Sequence, residues 1–405
     1  GAFAFLIISP KHNNKIFFAK QNSPLIIGYS NNDAQIVSSA AAFNNSINKI
    51  CYLNDGDFGY ITQDNYKIFN ANQEITPKFV KFNAATLHSS KENFNSFMEK
   101  EILEQHIVLQ NTVKNHLTEN GINFSELDDT FFNNINRIIL CACGTSFHAG
   151  LTGSYLLERY AKIVAVPQIA SEFHYKTPVL KKDDLVIFIS QSGETADTLA
   201  SLKYCKKLGI KTLVISNVDN SSLVRESSAI LTNIGVEKSV ASTKAFSSQV
   251  LVLWMLALYL AQKNNTLDKN SINKQISNIK NAIAACEITP KLNTVIKDLI
   301  NSLNNNYRYL FLGRDVFYPL ALEGALKLKE ITYLSAEGYP AGEMKHGPIA
   351  IADKNLCTIA LTPVNLLFDK TQSNVIEIAS RDSKIINISS NNFNSNFSFI
   401  ETINT

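Results

Sequence analysis

The chain has 405 residues, 45% of them hydrophobic, and a formal net charge of +3. This length predicts two or three domains that each bury a core. The charge is nearly balanced and gives no argument for a nucleic acid or an anionic membrane as partner, so neither is expected. The opening segment GAFAFLIISPKH has no basic region before its apolar run, unlike a signal peptide, so a cytoplasmic location is expected.

The cysteines lie at positions 51, 141, 143, 205, 286 and 357 without a CxxC pair, and the histidines are scattered. We interpret these cysteines as buried free thiols of a reducing compartment, with metal ligation as the alternative. No metal and no other cofactor is expected.

Residues 1–82 are predicted to be rich in β-strands, because apolar runs such as KIFFAK, PLIIGYS and INKICYL alternate with the turn signals NN, DG and GD.

Residues 83–130 follow a different pattern. Their segment NSFMEKEILEQHIVLQNTVKNHL repeats apolar residues at three-to-four spacing, which predicts a helical linker or docking arm.

Residues 131–275 alternate predicted strands with predicted helices. The strands are NRIILCACGT, VAVPQIA, LVIFIS, TLVISN and AILTNI, and the helices include FHAGLTGSYLLERYAKI and ADTLASLKYCKKLG. The apolar run VLVLWMLALYLA, residues 250–261, is too short to span a bilayer and predicts a buried helix with Trp254 in the core. The alternation predicts an α/β fold, with a parallel sheet between two layers of helices and ligands at the carboxyl ends of the strands.

Residues 300–405 repeat this pattern, with YRYLFLGRD and VFYPLALEGALKLKEITYL matching RIILCACGTS and AGLTGSYLLERY. We match ASEFHY of the first copy to SAEGYP of the second. The second copy runs through LCTIALTP and KIINIS and is expected to stop without its last elements, because NNFNSNFSFIETINT is polar. The predicted architecture is therefore two tandem α/β units, the second incomplete, in a chain whose two ends look cut.

The motif SQSGET, residues 190–195, ends a predicted strand and precedes a predicted helix. Ser190, Ser192 and Thr195 offer hydroxyls, the helix N-terminus offers free N–H groups, and Gly193 would let the backbone approach a ligand. An anion cradle and an ordinary capped turn are both open interpretations. Glu194 fits a cradle if it points away from the anion or caps a helix.

Two further loops favour the cradle. CGTS at residues 143–146 follows the first strand of the same unit, and SVASTKAF at 239–246 adds Ser242 and Thr243. No GxxxxGK[ST] motif is present, so a small sugar phosphate fits these loops better than ATP.

The second unit supplies candidate acid–base groups. Glu323, Lys327 and Glu330 share one helix face in ALEGALKLKE, either as a solvated ladder of ion pairs or as a covered site between apolar flanks. His346 precedes Gly347 and Pro348, and it is either a structural histidine or a proton-transfer group.

Together CGTS, SQSGETADTL, SSLVRES, VASTKAF and ALEGALKLKEITYLSAEGYPAGEMKHGP closely resemble the glutamine–fructose-6-phosphate aminotransferase (isomerizing) family, the glucosamine-6-phosphate synthases, over nearly the whole chain. The resemblance implies two sugar isomerase (SIS) domains, at 131–275 and 300–405, with residues 1–82 as the C-terminal part of an N-terminal-nucleophile glutaminase domain. It implies a homodimer that converts fructose 6-phosphate and glutamine to glucosamine 6-phosphate and glutamate.

The resemblance also implies roles for individual residues. Substrate-binding positions, the phosphate ligands among them, are Cys143, Gly144, Thr145, Ser146, Ser190, Gln191, Ser192, Thr195, Val240 and Ser242. Glu330 would move the proton between C1 and C2, and Lys327 would support that step. His346 would assist ring opening and would reach the site from the partner subunit.

This sequence departs from the family at three places. Gly1 does not supply the glutaminase cysteine, so the chain as given is expected not to hydrolyse glutamine, and no lysine before Thr405 matches the tail lysine that forms a Schiff base. Ser239 stands where the family usually has glycine. Two alternative functions are a non-catalytic sugar-phosphate sensor and a deglycase that acts on sugar-phosphate amines. A sensor would not need Glu330 and His346 together, and a deglycase would lack residues 1–82.

Overall fold

The computed structural model describes residues 1–83, 90–118, 121–303 and 307–402. The first part of the chain forms two antiparallel sheets, with strand orders β1-β2-β6-β7-β8 and β4-β3-β5-β9. Its strands are β1 (Phe3–Ile8), β2 (Ile16–Gln21), β3 (Ile26–Tyr29), β4 (Ala34–Val37), β5 (Lys49–Tyr52), β6 (Phe58–Ile61), β7 (Tyr66–Asn70), β8 (Gln73–Ile75) and β9 (Val80–Lys81). This segment is therefore rich in strands, as predicted, and Phe18, Ile27 and Leu53 belong to its shared hydrophobic core.

The following arm is helical in only part of its predicted range. It contains α1 (Phe97–Leu103), α2 (Gln105–Val113), β10 (Leu117–Thr118) and β11 (Gly121–Ile122). Ser96 begins α1 by accepting a hydrogen bond from the Glu99 amide. The apolar spacing ends near residue 117, and a short hairpin replaces the helix there. α2 packs against the first α/β unit, so the segment is a docked arm.

The first α/β unit has a five-stranded parallel sheet with strand order β13-β12-β14-β15-β16. Its elements are β12 (Arg137–Ala142), α3 (Gly144–Leu156), a π-helical turn (Leu157–Ala161), β13 (Val164–Ile169), α4 (Ala170–Phe173), β14 (Asp184–Ser190), α5 (Ala196–Lys207), β15 (Lys211–Ser216), α6 (Ser222–Glu226), β16 (Ser228–Leu231), α7 (Lys244–Lys263) and α8 (Lys269–Ala285). Every residue of β14 is buried, which explains its uninterrupted apolar sequence. Ile187 packs into the core cluster on the α7 side, whereas Phe188 packs into the cluster on the α5 side.

The second unit repeats this arrangement with strand order β18-β17-β19-β20-β21. Its elements are α9 (Pro290–Asn301), β17 (Arg308–Gly313), α10 (Phe317–Thr332), β18 (Ala336–Pro340), two 3₁₀ turns (Ala341–His346 and Pro348–Ile351), β19 (Leu356–Leu361), α11 (Phe368–Ala379), β20 (Lys384–Ser389) and β21 (Ser398–Glu401). The predicted α/β fold class with tandem units is confirmed.

Two details of the predicted repeat are wrong. The second sheet has a fifth strand, because Phe399 and Ile400 within the polar segment pair with Asn387 and Ile388 of β20. SAEGYP forms β18 and therefore corresponds to β13, whereas ASEF of the supposed partner ASEFHY forms α4 after that strand. The two segments are similar in composition, and the predicted repeat therefore aligned a helix of the first unit with a strand of the second.

Helix α7 is longer than its apolar run because it begins at Lys244. By length and composition such a helix could cross a membrane, but 67% of its apolar window is buried inside the protein. It lies against α3, and Trp254 is only partly buried at the edge of that core. Its apolar composition is therefore explained by packing within the first unit.

Candidate active site

Two hydroxyl-rich loops begin side by side at the carboxyl edge of the first sheet. Ala142 of β12 is paired with Ile189 of β14, and neighbouring strands lie roughly 4.8 Å apart. Helices α3 and α5 start from these loops, with Cys143 and Thr195 as N-cap residues, and among the described residues neither cap side chain bonds its helix. Unpaired N–H groups of two helix N-termini are therefore available at one edge.

The SQSGET loop is held by its own hydroxyls. Ser190 Oγ lies 2.9 Å from Thr195 Oγ1 and accepts a hydrogen bond of 3.1 Å from the Gly193 amide. Ser190 is buried, whereas Gln191 and Ser192 are partly exposed at the edge. The loop is thus pre-shaped by Ser190, and Ser192 has access to a ligand.

Gly193 and Glu194 face the next loop of the sheet. Gly193 has φ +67°, and a Cβ on it would lie 1.9 Å from Ser221 Oγ. Glycine is therefore needed where this turn meets Ser221, and the expectation that Gly193 lets the backbone approach a ligand stays a prediction. Glu194 Oε1 accepts a hydrogen bond of 2.8 Å from the Ser222 amide at the start of α6. Its carboxylate points away from the cradle, as the cradle interpretation requires.

The CGTS loop presents both an opening and a buried anchor. Gly144 has φ +53°, and no atom of the described chain lies within 4 Å of where its Cβ would be. Ser146 is buried, and its Oγ accepts a hydrogen bond of 3.0 Å from Gln249 Nε2 of α7. Cys143 is partly buried and packs against the core on the α5 side.

The third loop is fixed by two carboxylates. Ser242 Oγ donates to Glu237 Oε2 at 3.0 Å, so this hydroxyl is already engaged. Ser239, at the position where glycine is usual in the family, donates its amide and hydroxyl to Glu101 of α1. Val240 is 94% exposed between these anchors. The docked arm therefore sets the conformation of the loop that precedes α7.

The candidate acid–base residues of α10 meet the CGTS loop through Lys327. Its Nζ lies 3.0 Å from Thr145 Oγ1, 2.6 Å from Glu330 Oε2 and 3.4 Å from Glu323 Oε1. Thr145 in turn donates to Glu323 Oε1 at 2.9 Å. The side chains of Glu323, Lys327 and Glu330 are 7%, 16% and 34% exposed, so this face is not a solvated ladder. Glu330 is the group most open to a ligand.

Comparisons with known proteins decide the family. A model described as SIS domain matches residues 131–259 and 302–397. The glutamine–fructose-6-phosphate aminotransferase (isomerizing) of Campylobacter jejuni is 45% identical over 404 residues, which is 99% of this chain and 67% of that protein. This chain belongs to the glutamine–fructose-6-phosphate aminotransferase (isomerizing) family.

Other relatives agree. The Helicobacter pylori protein of the same name is 44% identical across 96% of this chain and 65% of its own length. The solved C-terminal domain of glucosamine-fructose-6-phosphate aminotransferase from Francisella tularensis is 42% identical, with a TM-score of 0.73 over 78% of this chain and 90% of that one. The chain thus spans about two thirds of the length of the curated relatives it matches.

The candidate site also contains two residues to which the sequence alone assigned no role. Glu323 was placed on the α10 face, yet it is the buried centre of the network. His148 was missed, and its Nδ1 lies 2.7 Å from Glu323 Oε2. The available signal was its position three residues after Thr145 on one helix face. His346 is exposed at the end of its 3₁₀ turn and, within the described residues, makes no hydrogen bond to this network.

All six cysteines lie in the described ranges and are free thiols, as interpreted; four of them are buried, whereas Cys143 and Cys286 are only partly buried. Burial raises the pKa of Cys205 to about 12 and raises that of Cys141 as well, so these thiols stay protonated at neutral pH. Within the described part of the chain, no group of three or more His, Cys, Asp or Glu residues could hold a metal ion.

Proposed function

We propose that the protein to which this chain belongs converts fructose 6-phosphate and glutamine to glucosamine 6-phosphate and glutamate. The observation that carries this proposal is Lys327, which joins Thr145 of the hydroxyl-rich edge to Glu330 of α10. A phosphate-binding edge and a proton-transfer group then meet in one crevice. The names of relatives that match almost the whole chain support this chemistry.

The phosphate is assigned to the shared edge of the CGTS and SQSGET loops. The free amides at the starts of α3 and α5 attract an anion, and Ser192 can donate a hydroxyl to it. Buried Ser190 contributes by holding the turn, and Thr195 pairs with it across the loop. Gly144 has no side chain, so the approach to this edge at the CGTS loop is open.

Proton transfer is assigned to Glu330. Its carboxylate takes a proton from C1 of the open-chain sugar and returns it at C2, which converts the ketose skeleton to an aldose. Lys327 donates to this carboxylate at 2.6 Å and holds it in position. A site that only sensed sugar phosphates would gain nothing from this partly buried ion pair.

The wider organisation belongs to the same proposal. Residues 1–82 are the C-terminal part of a glutaminase domain, 83–130 connect it, and 131–275 and 300–405 are SIS domains. His346 is exposed, so it is free to serve a neighbouring copy. We propose a cytoplasmic homodimer in which the partner subunit's His346 assists ring opening, with Val240 and Ser242 lining the sugar end of the site.

The experiment is a calorimetric titration of fructose 6-phosphate into the chain and into Ser192→Ala and Ser277→Ala variants. Ser192→Ala is expected to weaken binding about 10- to 100-fold, because a hydrogen bond to a charged group contributes roughly 1.5–3 kcal/mol. Ser277 is an exposed residue of α8, away from the carboxyl edge, so Ser277→Ala is the matched control and leaves binding unchanged.

A second variant tests the chemistry. Glu330→Gln should retain binding but lose exchange of the C1 hydrogen with D₂O, followed by NMR. Equal affinities of the chain and Ser192→Ala, or persistent exchange in Glu330→Gln, would remove these residues from their proposed roles.

A further inference from the structure

A buried hydrogen-bonded chain crosses from the first unit to the second at the α3–α10 contact. His148 lies one turn after Thr145 on α3, and its Nδ1 is 2.7 Å from Glu323 Oε2 on α10. The side chains of His148 and Glu323 are 14% and 7% exposed. The pair is therefore shielded from water, and its hydrogen bond has few competitors.

The direction of each bond follows from the donors available. A carboxylate only accepts, so Nδ1 of His148 carries the proton that it shares with Glu323 Oε2. Thr145 donates to the other oxygen, Oε1. The Thr145 oxygen is then free to accept from Lys327. Both oxygens of Glu323 are thus occupied by residues of the first unit.

This occupation controls where Lys327 points. An ammonium has three N–H donors, and Lys327 contacts Thr145, Glu330 at 2.6 Å and, more distantly, Glu323 at 3.4 Å. Without the donor from His148, Glu323 would be an under-satisfied buried carboxylate next to the ammonium. Lys327 would then move toward Glu323 and away from Glu330.

We propose that His148 is a positioning residue for proton transfer: by satisfying Glu323, it leaves Lys327 to hold Glu330 toward the sugar. This inference rests on the proposed function. It assigns a role in the isomerisation step to a side chain that contacts neither the phosphate edge nor Glu330 in the described structure.

A second contact between the two units provides the control for a merely structural role of His148. Arg159 at the end of the same helical segment pairs with Asp315 of the second unit at 2.6 Å. This contact also joins the two units, but it lies outside the Glu323 network. Arg159→Ala therefore weakens docking of the units without changing the donors to Glu323.

The test measures C1 hydrogen exchange of fructose 6-phosphate in D₂O for the unsubstituted chain, His148→Leu, His148→Asn and Arg159→Ala. In His148→Leu, kcat should fall about 10- to 100-fold with KM nearly unchanged, because a small displacement of a catalytic group has an effect of that order. His148→Asn should recover kcat to within about threefold, since its amide N–H sits near the position of Nδ1. Arg159→Ala should keep the full kcat.

Three outcomes would overturn the proposal: an unchanged kcat in His148→Leu, an Asn variant as impaired as the Leu variant, or an equal loss in Arg159→Ala. If His148→Leu does not fold, Glu323→Gln replaces it and should give the same loss. The double variant His148→Asn with Glu323→Gln should then be no worse than Glu323→Gln alone.

A readout independent of turnover separates this inference from the proposed function. In the chain labelled with ¹⁵N-histidine, NMR should show a strongly hydrogen-bonded Nδ1 proton that disappears in His148→Asn and shifts in Glu323→Gln. An unprotonated Nδ1 in His148 would refute the positioning role, even in a chain that exchanges C1 hydrogen. Absence of binding and exchange with the proton present would instead refute the proposed function.

Discussion

Replacing Gly193 with alanine tests how the proposed phosphate-binding edge is built. The residue has φ +67°, and its added Cβ would lie 1.9 Å from Ser221 Oγ and 2.5 Å from Ser221 Cβ. Ser221 is fully buried and cannot swing into solvent. The Gly193 carbonyl also accepts the Leu223 amide at 3.0 Å, so the turn and the start of α6 must move together.

Two costs combine in this substitution. A residue with a Cβ in the left-handed region loses roughly 1–2 kcal/mol, and overpacking a tight contact loses roughly 1–3 kcal/mol more. Gly193→Ala is therefore expected to lower the free energy of unfolding of the first unit by about 2–5 kcal/mol. Gly235 is the matched control, because it has φ +68° with no atom of the described chain near its Cβ position. Gly235→Ala should show the backbone cost alone.

The assays are urea unfolding and calorimetric titration of fructose 6-phosphate. Gly193→Ala should lose more stability than Gly235→Ala, and it should bind the sugar phosphate more weakly because the turn beneath Ser192 has shifted. Adding Ser221→Gly should recover most of the loss due to the contact, since it removes the two nearest atoms and leaves only Ser216 Oγ at 3.0 Å. Equal losses in the two alanine variants, with binding intact, would refute the close-contact argument.

Two further predictions concern ionisable groups. Burial raises the pKa of Asp55, but hydrogen bonds from Lys20 and Lys203 outweigh it and leave that pKa well below its usual value. Because the pKa is lowered by folding, the Asp55 carboxylate stabilises the folded chain above the unfolded pKa of about 4, and this stability is lost as pH falls toward the folded pKa. The stability of Asp55→Asn, measured by acid unfolding with circular dichroism, should therefore fall less steeply with pH in that window. Cys141 and Cys205 are fully buried with raised pKa values, so a thiol reagent at pH 8 should modify them only when urea unfolds the chain; rapid native labelling would contradict the fold.

The sequence was most informative where local pattern and burial agree. The run DLVIFIS predicts a fully buried strand, and β14 is buried along its whole length between two helical layers. Two strands that each end in hydroxyl-bearing loops also predicted a common edge, because parallel neighbours place their carboxyl ends together. These inferences need only the period of the pattern and the handedness of parallel connections.

Secondary structure was harder to predict where a strand has a polar composition. SFIE contains only two apolar residues, yet it completes the second sheet because β20 offers an unpaired edge next to it. Likewise, ASEFHY and SAEGYP are alike in composition, but among the described residues only SAEGYP pairs with a neighbouring strand. Pairing partners far along the chain decided both cases, and no local window contains them.

The site shows the same limit in its chemistry. In the sequence, Glu194 conflicts with an anion cradle, whereas in the structure its carboxylate accepts a hydrogen bond from the Ser222 amide in another loop. His148 looked like an ordinary helix residue, and its importance depends on Glu323 in the other unit. A spacing rule can place Thr145 and His148 on one face, or Glu323 and Lys327 on another. That the two faces meet follows only from packing of α3 on α10, so the candidate acid–base site is formed where the two repeated units dock.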